Sequence, residues 1–247
     1  MVKKIKSLFK KLPKIKIKVG KGGAKSKRFA KLVLTIGIIV LVGFILDLGS
    51  YLYFKKNVLA YTTKSGIVIT KSQVAKRLFE VGNPLTPVTV QQLINDVLVT
   101  KLTDVYAAKN KVIITEAQVT QFLEESKKQN PSLDINDPVL RENVKKYLIL
   151  KALAVKEPVT VTDEEIRRFY NENKEALFKD KKFEEVKEDI RLYLENQKIQ
   201  EQIINWLDQK RKEEGFVDLN QAPLPQYKPG VGLKEYLPIL VKSLFTM

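Results

Sequence analysis

The chain contains no cysteine and no histidine. Without cysteine there are no disulfides, thiolate metal sites, thiol nucleophiles or lipid-modified cysteine anchors. Without histidine there are no Ser-His-Asp triads, no His-ligated zinc, and none of the usual general bases poised near neutral pH. These two absences remove most familiar enzyme chemistries. The chain is read as a non-enzyme with no cofactor and no metal.

Acidic residues are missing from one region in particular. Residues 1–31 hold 13 Lys/Arg and no Asp or Glu, so of the formal charge of +16 only +3 belongs to the other 216 residues. The basicity is therefore that of a tail, and no nucleic-acid partner is expected for the rest. In the tail, lysines alternate with Ile, Leu, Val and Phe (MVKKIKSLFKKLPKIKIKVGKGG). That pattern suits a short amphipathic element on the anionic lipids of an inner leaflet.

The next stretch lacks charge. Leu32 to Phe54 is 23 residues with Asp47 as its single charged side chain, about 35 Å of helix at about 1.5 Å per residue against about 30 Å of hydrocarbon. It is read as a retained transmembrane helix rather than a signal peptide, because it is longer than the apolar region of a signal sequence. The excess of basic residues before it predicts the N-terminus inside and the remainder outside. Asp47 is expected to snorkel to headgroup water near the outer end, with pairing to another subunit as the alternative.

Beyond the span, period and capping signals predict a mainly helical body. Leu59–Thr63 and Ile67–Ile69 read as a hairpin around Lys64-Ser65-Gly66. Capping boxes at Thr70-x-x-Gln73, Thr115-x-x-Gln118 and Thr162-x-x-Glu165, and Asp137-Pro138, mark helix starts. The spacing of Val74, Leu78 and Phe79 predicts one helix face. That of Val90, Leu93, Ile94, Val97, Leu98, Leu102, Val105 and Tyr106 predicts a helix over 90–109. A long helix is predicted from Phe183 to about Glu214, with Val186, Ile190, Tyr193, Ile203, Ile204 and Leu207 near one face and Gly215 as its stop. Phe216–Leu219 reads as a strand returning to the hairpin. Residues 221–247 read as a Pro/Gly linker and an amphipathic tail, with a helix only from about Pro238 onward and with partner or self contact through residues 233–247 ranked ahead of contact with the outer leaflet.

Four segments in this order, GIVITKSQVAKRLF, LINDVLVTKLTDVYAAKNKVIITEAQV, LRENVKKYLILKALAVKEPVTVTDEEIRRFYNENKEAL and FEEVKEDIRLYLENQKIQEQIINWLDQKRKEEGFVDL, together resemble the SurA/PrsA family of extracytoplasmic chaperones. The resemblance covers Leu59 to Leu219 and implies a helical chaperone core over 57–220 with a small hairpin and strand. In that family parvulin prolyl-isomerase domains usually separate the last two segments, whereas only Phe178–Lys182 does so here. The resemblance thus implies a core without the isomerase, holding unfolded or secreted polypeptides in an apolar-walled cradle. Its candidate peptide-binding residues are Phe79, Tyr147, Phe169, Tyr170, Tyr193 and Trp206. The alternative is a structural docking subunit of an envelope or secretion complex.

Overall fold

A computed structural model describes residues 24–81, 88–179 and 181–245. The basic tail up to residue 23 lies outside the described residues, as does Asp180 in the connection between the last two family-like segments. The chain divides into two compact units, Met1–Leu46 and Asp47–Met247.

In the first unit, a single helix begins, α1 (Ala24–Asn57). Its side chains from Leu32 to Leu46 are exposed almost throughout, with Gly43 as the only partly covered residue among them. Among the described residues Ile36, Ile39, Val40 and Phe44 stay more than half exposed, and the stretch is long and apolar enough to cross a membrane.

The second unit is mainly helical with one small sheet. Its elements are β1 (Val58–Thr62), β2 (Val68–Thr70), α2 (Lys71–Val81), α3 (Val90–Asn110), α4 (Glu116–Gln129), α5 (Pro138–Ala154), α6 (Asp163–Leu177), α7 (Phe183–Glu213), β3 (Phe216–Asp218) and a C-terminal α8 (Leu237–Ser243) preceded by a π-helical turn, Gly232–Tyr236. The sheet order is β2-β1-β3 with both pairings antiparallel. Gly66 turns the hairpin at φ 76°, and Gly215 ends α7 at φ 63°, conformations that a side chain would strain.

The predicted capping boxes at Thr70, Thr115 and Thr162 form, each hydroxyl accepting a backbone N–H three residues on while the Gln or Glu returns to the threonine N–H. A fourth, Thr89 with Gln92, opens α3. The main core lies under the sheet, where Ala60, Ile67, Ile69, Val74, Leu93, Ile94, Leu98, Leu102, Tyr106 and Leu153 are buried. A smaller cluster joins α4 to α5 (Val119, Leu123, Val144), and another joins α6 to the start of α7 (Ile166, Tyr170, Val186, Ile190). On α2 only Val74 points inward. Leu78 and Phe79 are exposed, so the face predicted for them is not a buried one.

Glu214 ties three parts of the core together. Its buried carboxylate accepts from the Tyr106 hydroxyl at 2.8 Å and from the Ser65 N–H at 2.8 Å. Its carbonyl accepts from the N–H groups of Thr63 and Lys64. Burial and this acceptor push the Tyr106 phenol well above its ordinary range.

The C-terminal segment packs on the C-terminal end of α1. Tyr51, Phe54, Val58, Val68, Tyr236 and Ile239 form a buried cluster. Asp47 is only 3% exposed. Its Oδ2 accepts from the Tyr227 hydroxyl at 2.6 Å and the Gly230 N–H at 2.9 Å, and its Oδ1 accepts from the Leu233 N–H at 2.8 Å. The expectation that Asp47 snorkels, or pairs with another subunit, is thus corrected: its partners lie in its own chain. Helix also begins earlier than Pro238. The Leu237 N–H reaches back to the Gly232 carbonyl, and the proline, which has no N–H to continue that pattern, falls in the first turn of α8.

Candidate functional site: the open face of the long helix

At about 1.5 Å per residue the 31 residues of α7 extend about 46 Å, more than any one of the helices packed on it, α6, α5 and α3, can cover. Tyr193, Gln197, Gln200, Ile204 and Leu207 follow one another at intervals of four and three, and so occupy one stripe of that helix. Toward the N-terminus the same side is covered by α6, through Val186 and Ile190. Toward the C-terminus it reaches α3, where Leu207 shares a groove with Leu98 and Val99. Between α6 and α3 the stripe is uncovered, leaving Tyr193 49% and Ile204 57% exposed. The sequence reading set both on the face of Val186 and Ile203. The structure buries those two and leaves Tyr193 and Ile204 in the gap.

Open grooves run along this gap and share their linings. One holds Phe169, Leu177, Phe178, Ile190 and Tyr193. The next passes from Tyr193 over Asn196, Gln197, Gln200 and Glu201 to Ile204. A third continues from Ile204 to Leu207, Leu98 and Asn95. The result is an apolar patch at each end and, between them, a floor of side-chain amides with the Glu201 carboxylate at its edge. Each amide offers both a donor and an acceptor, and the Gln197 amide already donates to the Tyr193 hydroxyl at 2.7 Å.

Beside the amide floor a charged rim is fixed by a short ion pair, Lys198 Nζ to Glu165 Oε1 at 2.8 Å. The lysine, together with the Thr162 N–H of the capping box, pulls the Glu165 carboxyl down to about 2. Glu165 therefore stays ionised at neutral pH as a helix cap. No part of this arrangement places a nucleophile against a base.

The six candidate residues separate. Phe169, Tyr170 and Tyr193 gather at the α6–α7 end, with Phe169 and Tyr193 ring centroids 5.2 Å apart. Of these Tyr170 is core: it is buried, stacks on Phe178, and donates to the Lys181 carbonyl at 2.8 Å. Trp206 is partly buried against the main core, edge-on to Tyr106. Tyr147 packs on Phe122 in the α4–α5 pair. Phe79 stands alone at 88% exposed. Ile204, Leu207, Leu98 and the amides were not among the candidates. The signal that could have found them was a stripe on α7 longer than any partner helix.

Compared with known proteins, the chain matches no family model, no curated protein and no solved structure.

Proposed function

We propose that the chain is a membrane-anchored holder of unfolded polypeptides, a SurA/PrsA-like chaperone core without prolyl-isomerase activity, with its N-terminus inside and its helical body on the outer side of a bacterial cytoplasmic membrane. The observation that carries this reading is the uncovered stretch of α7. Tyr193 and Ile204, about 16 Å apart along the helix axis, bound an amide floor, a length that five residues of extended chain span at about 3.3 Å each. Apolar ends take side chains with little sequence preference. The amides between them satisfy a peptide backbone that would otherwise lose its water. For the orientation, the support is the 13 basic residues that precede the span.

The test uses the full chain in lipid nanodiscs, added to an unfolded model protein. Aggregation should slow in proportion to the amount of chaperone and without turnover, and Tyr193→Asp with Ile204→Asp should abolish the effect while helicity is kept. The rate of Xaa-Pro exchange in a test peptide should stay uncatalysed. Recovery of one partner at fixed stoichiometry from native membranes, with no effect on any of several clients, would replace this reading by that of a docking subunit.

A further inference from the structure

The hydrogen bonds to Asp47 fix the depth of the C-terminal turn relative to a bilayer. Asp47 lies 15 residues beyond Leu32, about 22 Å along α1 against about 30 Å of hydrocarbon. Sliding the helix outward to bring Asp47 clear of the hydrocarbon would draw Lys31 about 6 Å into it from the other side, and Arg28 less, so that both would have to snorkel back to the headgroups. The turn that donates to Asp47 must therefore share its depth.

That turn is built for such a place. Of its polar groups, the Tyr227 hydroxyl and the Gly230 and Leu233 N–H groups all end on the carboxylate, and Gly232 lies so close to the Asp47 carbonyl that a Cβ there would collide with it. Backbone donors that enter an apolar layer must be satisfied within the protein, and these are. The Asp47 carboxylate is in turn shielded by the groups it binds. Exposed on the turn and at its end are Lys228, Pro229, Leu233, which is 37% exposed, Lys234 and Glu235. Two lysines long enough to reach phosphate, against one carboxylate and beside an apolar side chain, leave this surface with the net positive charge that a contact with anionic lipid uses.

We propose that the Tyr227–Lys234 turn enters the bilayer interface beside α1, with Leu233 toward the acyl chains and Lys228 and Lys234 on lipid phosphates, as a second membrane contact of the chain. It rests on α1 crossing the membrane and not on what α7 binds. The absence of cysteine allows single-site spin labelling of the full chain in vesicles of phosphatidylcholine and phosphatidylglycerol. Labels replace Leu233, Ile39 in the span and Phe79 on the body, and their collision rates with oxygen and with a water-soluble nickel chelate are compared. The oxygen-to-nickel ratio for Leu233→Cys should approach that of Ile39→Cys and exceed that of Phe79→Cys several-fold. A ratio equal to that of Phe79→Cys overturns the proposal, and so does a label at 233 hidden from both reagents, which would place a protein there. A low ratio at Ile39→Cys would instead remove the membrane span itself. Because a label at 233 can disturb the Asp47 contacts, the same comparison at Lys234→Cys, whose side chain is exposed, must give the same order of ratios.

Discussion

The two longest helices of the chain both carry apolar residues that no other element covers, and they carry them differently. On α1 the uncovered residues from Leu32 to Leu46 surround the helix. On α7 they are Leu192, Tyr193 and Ile204, of which Tyr193 and Ile204 share one stripe with amides between and charge on either side. A helix apolar on every side fits a medium that is apolar in every direction, whereas a single interrupted stripe fits a narrow partner. Near its C-terminal end α1 changes from the first pattern toward the second, because from Asp47 onward Ser50, Tyr51 and Phe54 face a protein neighbour.

The largest expected effect separates core from surface on α7 itself. Trp206→Ala removes a ring packed on Tyr106 and the main core, and should cost about 3–5 kcal/mol of stability in a denaturant curve. Tyr193→Ala and Ile204→Ala, at exposed sites, should each cost no more than about 0.5 kcal/mol. Equal losses at all three would mean that the open stripe is covered in the folded protein.

A second effect concerns the C-terminal end of α1. Gly232→Ala forces a methyl group against the Asp47 carbonyl and the Ser50 hydroxyl, and overpacking of this kind costs about 1–3 kcal/mol. Because the collision is with backbone, the tail should shift as a unit, so limited proteolysis should begin to cut between Asn220 and Leu233. Asp47→Ala should expose the same segment by leaving three donors without their acceptor. A tail that stays protected in both variants would show that Tyr236 and Ile239 hold it without the carboxylate.

Much of the helical body was legible because its signals are local. Capping boxes, apolar periods and Gly215 report on neighbours a few residues away, and they placed α3 and α7, and the start of α6, to within about two residues. What failed was long-range. The contacts of Asp47 lie some 180 residues further along the chain, and nothing near Asp47 in sequence distinguishes a carboxylate aimed at water from one aimed at a tail. Val90 and Ile204 both fit their helical stripes and are nonetheless exposed, since a period says which side of a helix is apolar and not how far along it the partner extends. The candidate aromatics shared only their size, so the fold distributes them over several clusters. The groove was half visible, through Phe169 and Tyr193. Its amide floor was not, because glutamines on a long charged helix look like ordinary surface.

The smallest effect tests whether the charged rim of the α7 groove is fixed or merely drawn near. Glu165 caps α6 and pairs with Lys198, and its carboxyl is held at about 2, well below the ordinary value of 4.5. A group whose folded value is depressed contributes stability above its unfolded value, and that contribution is lost as pH falls through the folded one. The α6–α7 end should therefore loosen progressively between pH 4.5 and about 2. Lys198→Gln removes the largest cause of the shift, so the folded value moves back toward 4.5 and the loss on acidification should be smaller and end at higher pH in that variant, while stability at neutral pH changes little, as is usual for an exposed pair. Backbone amide exchange in the first turns of α6 is the suitable measure, because the core under the sheet takes no part in this titration. If exchange there follows the same pH course with and without the lysine, the ion pair does not hold the cap, and the rim of the groove is set by packing of Ile166 and Tyr170 alone.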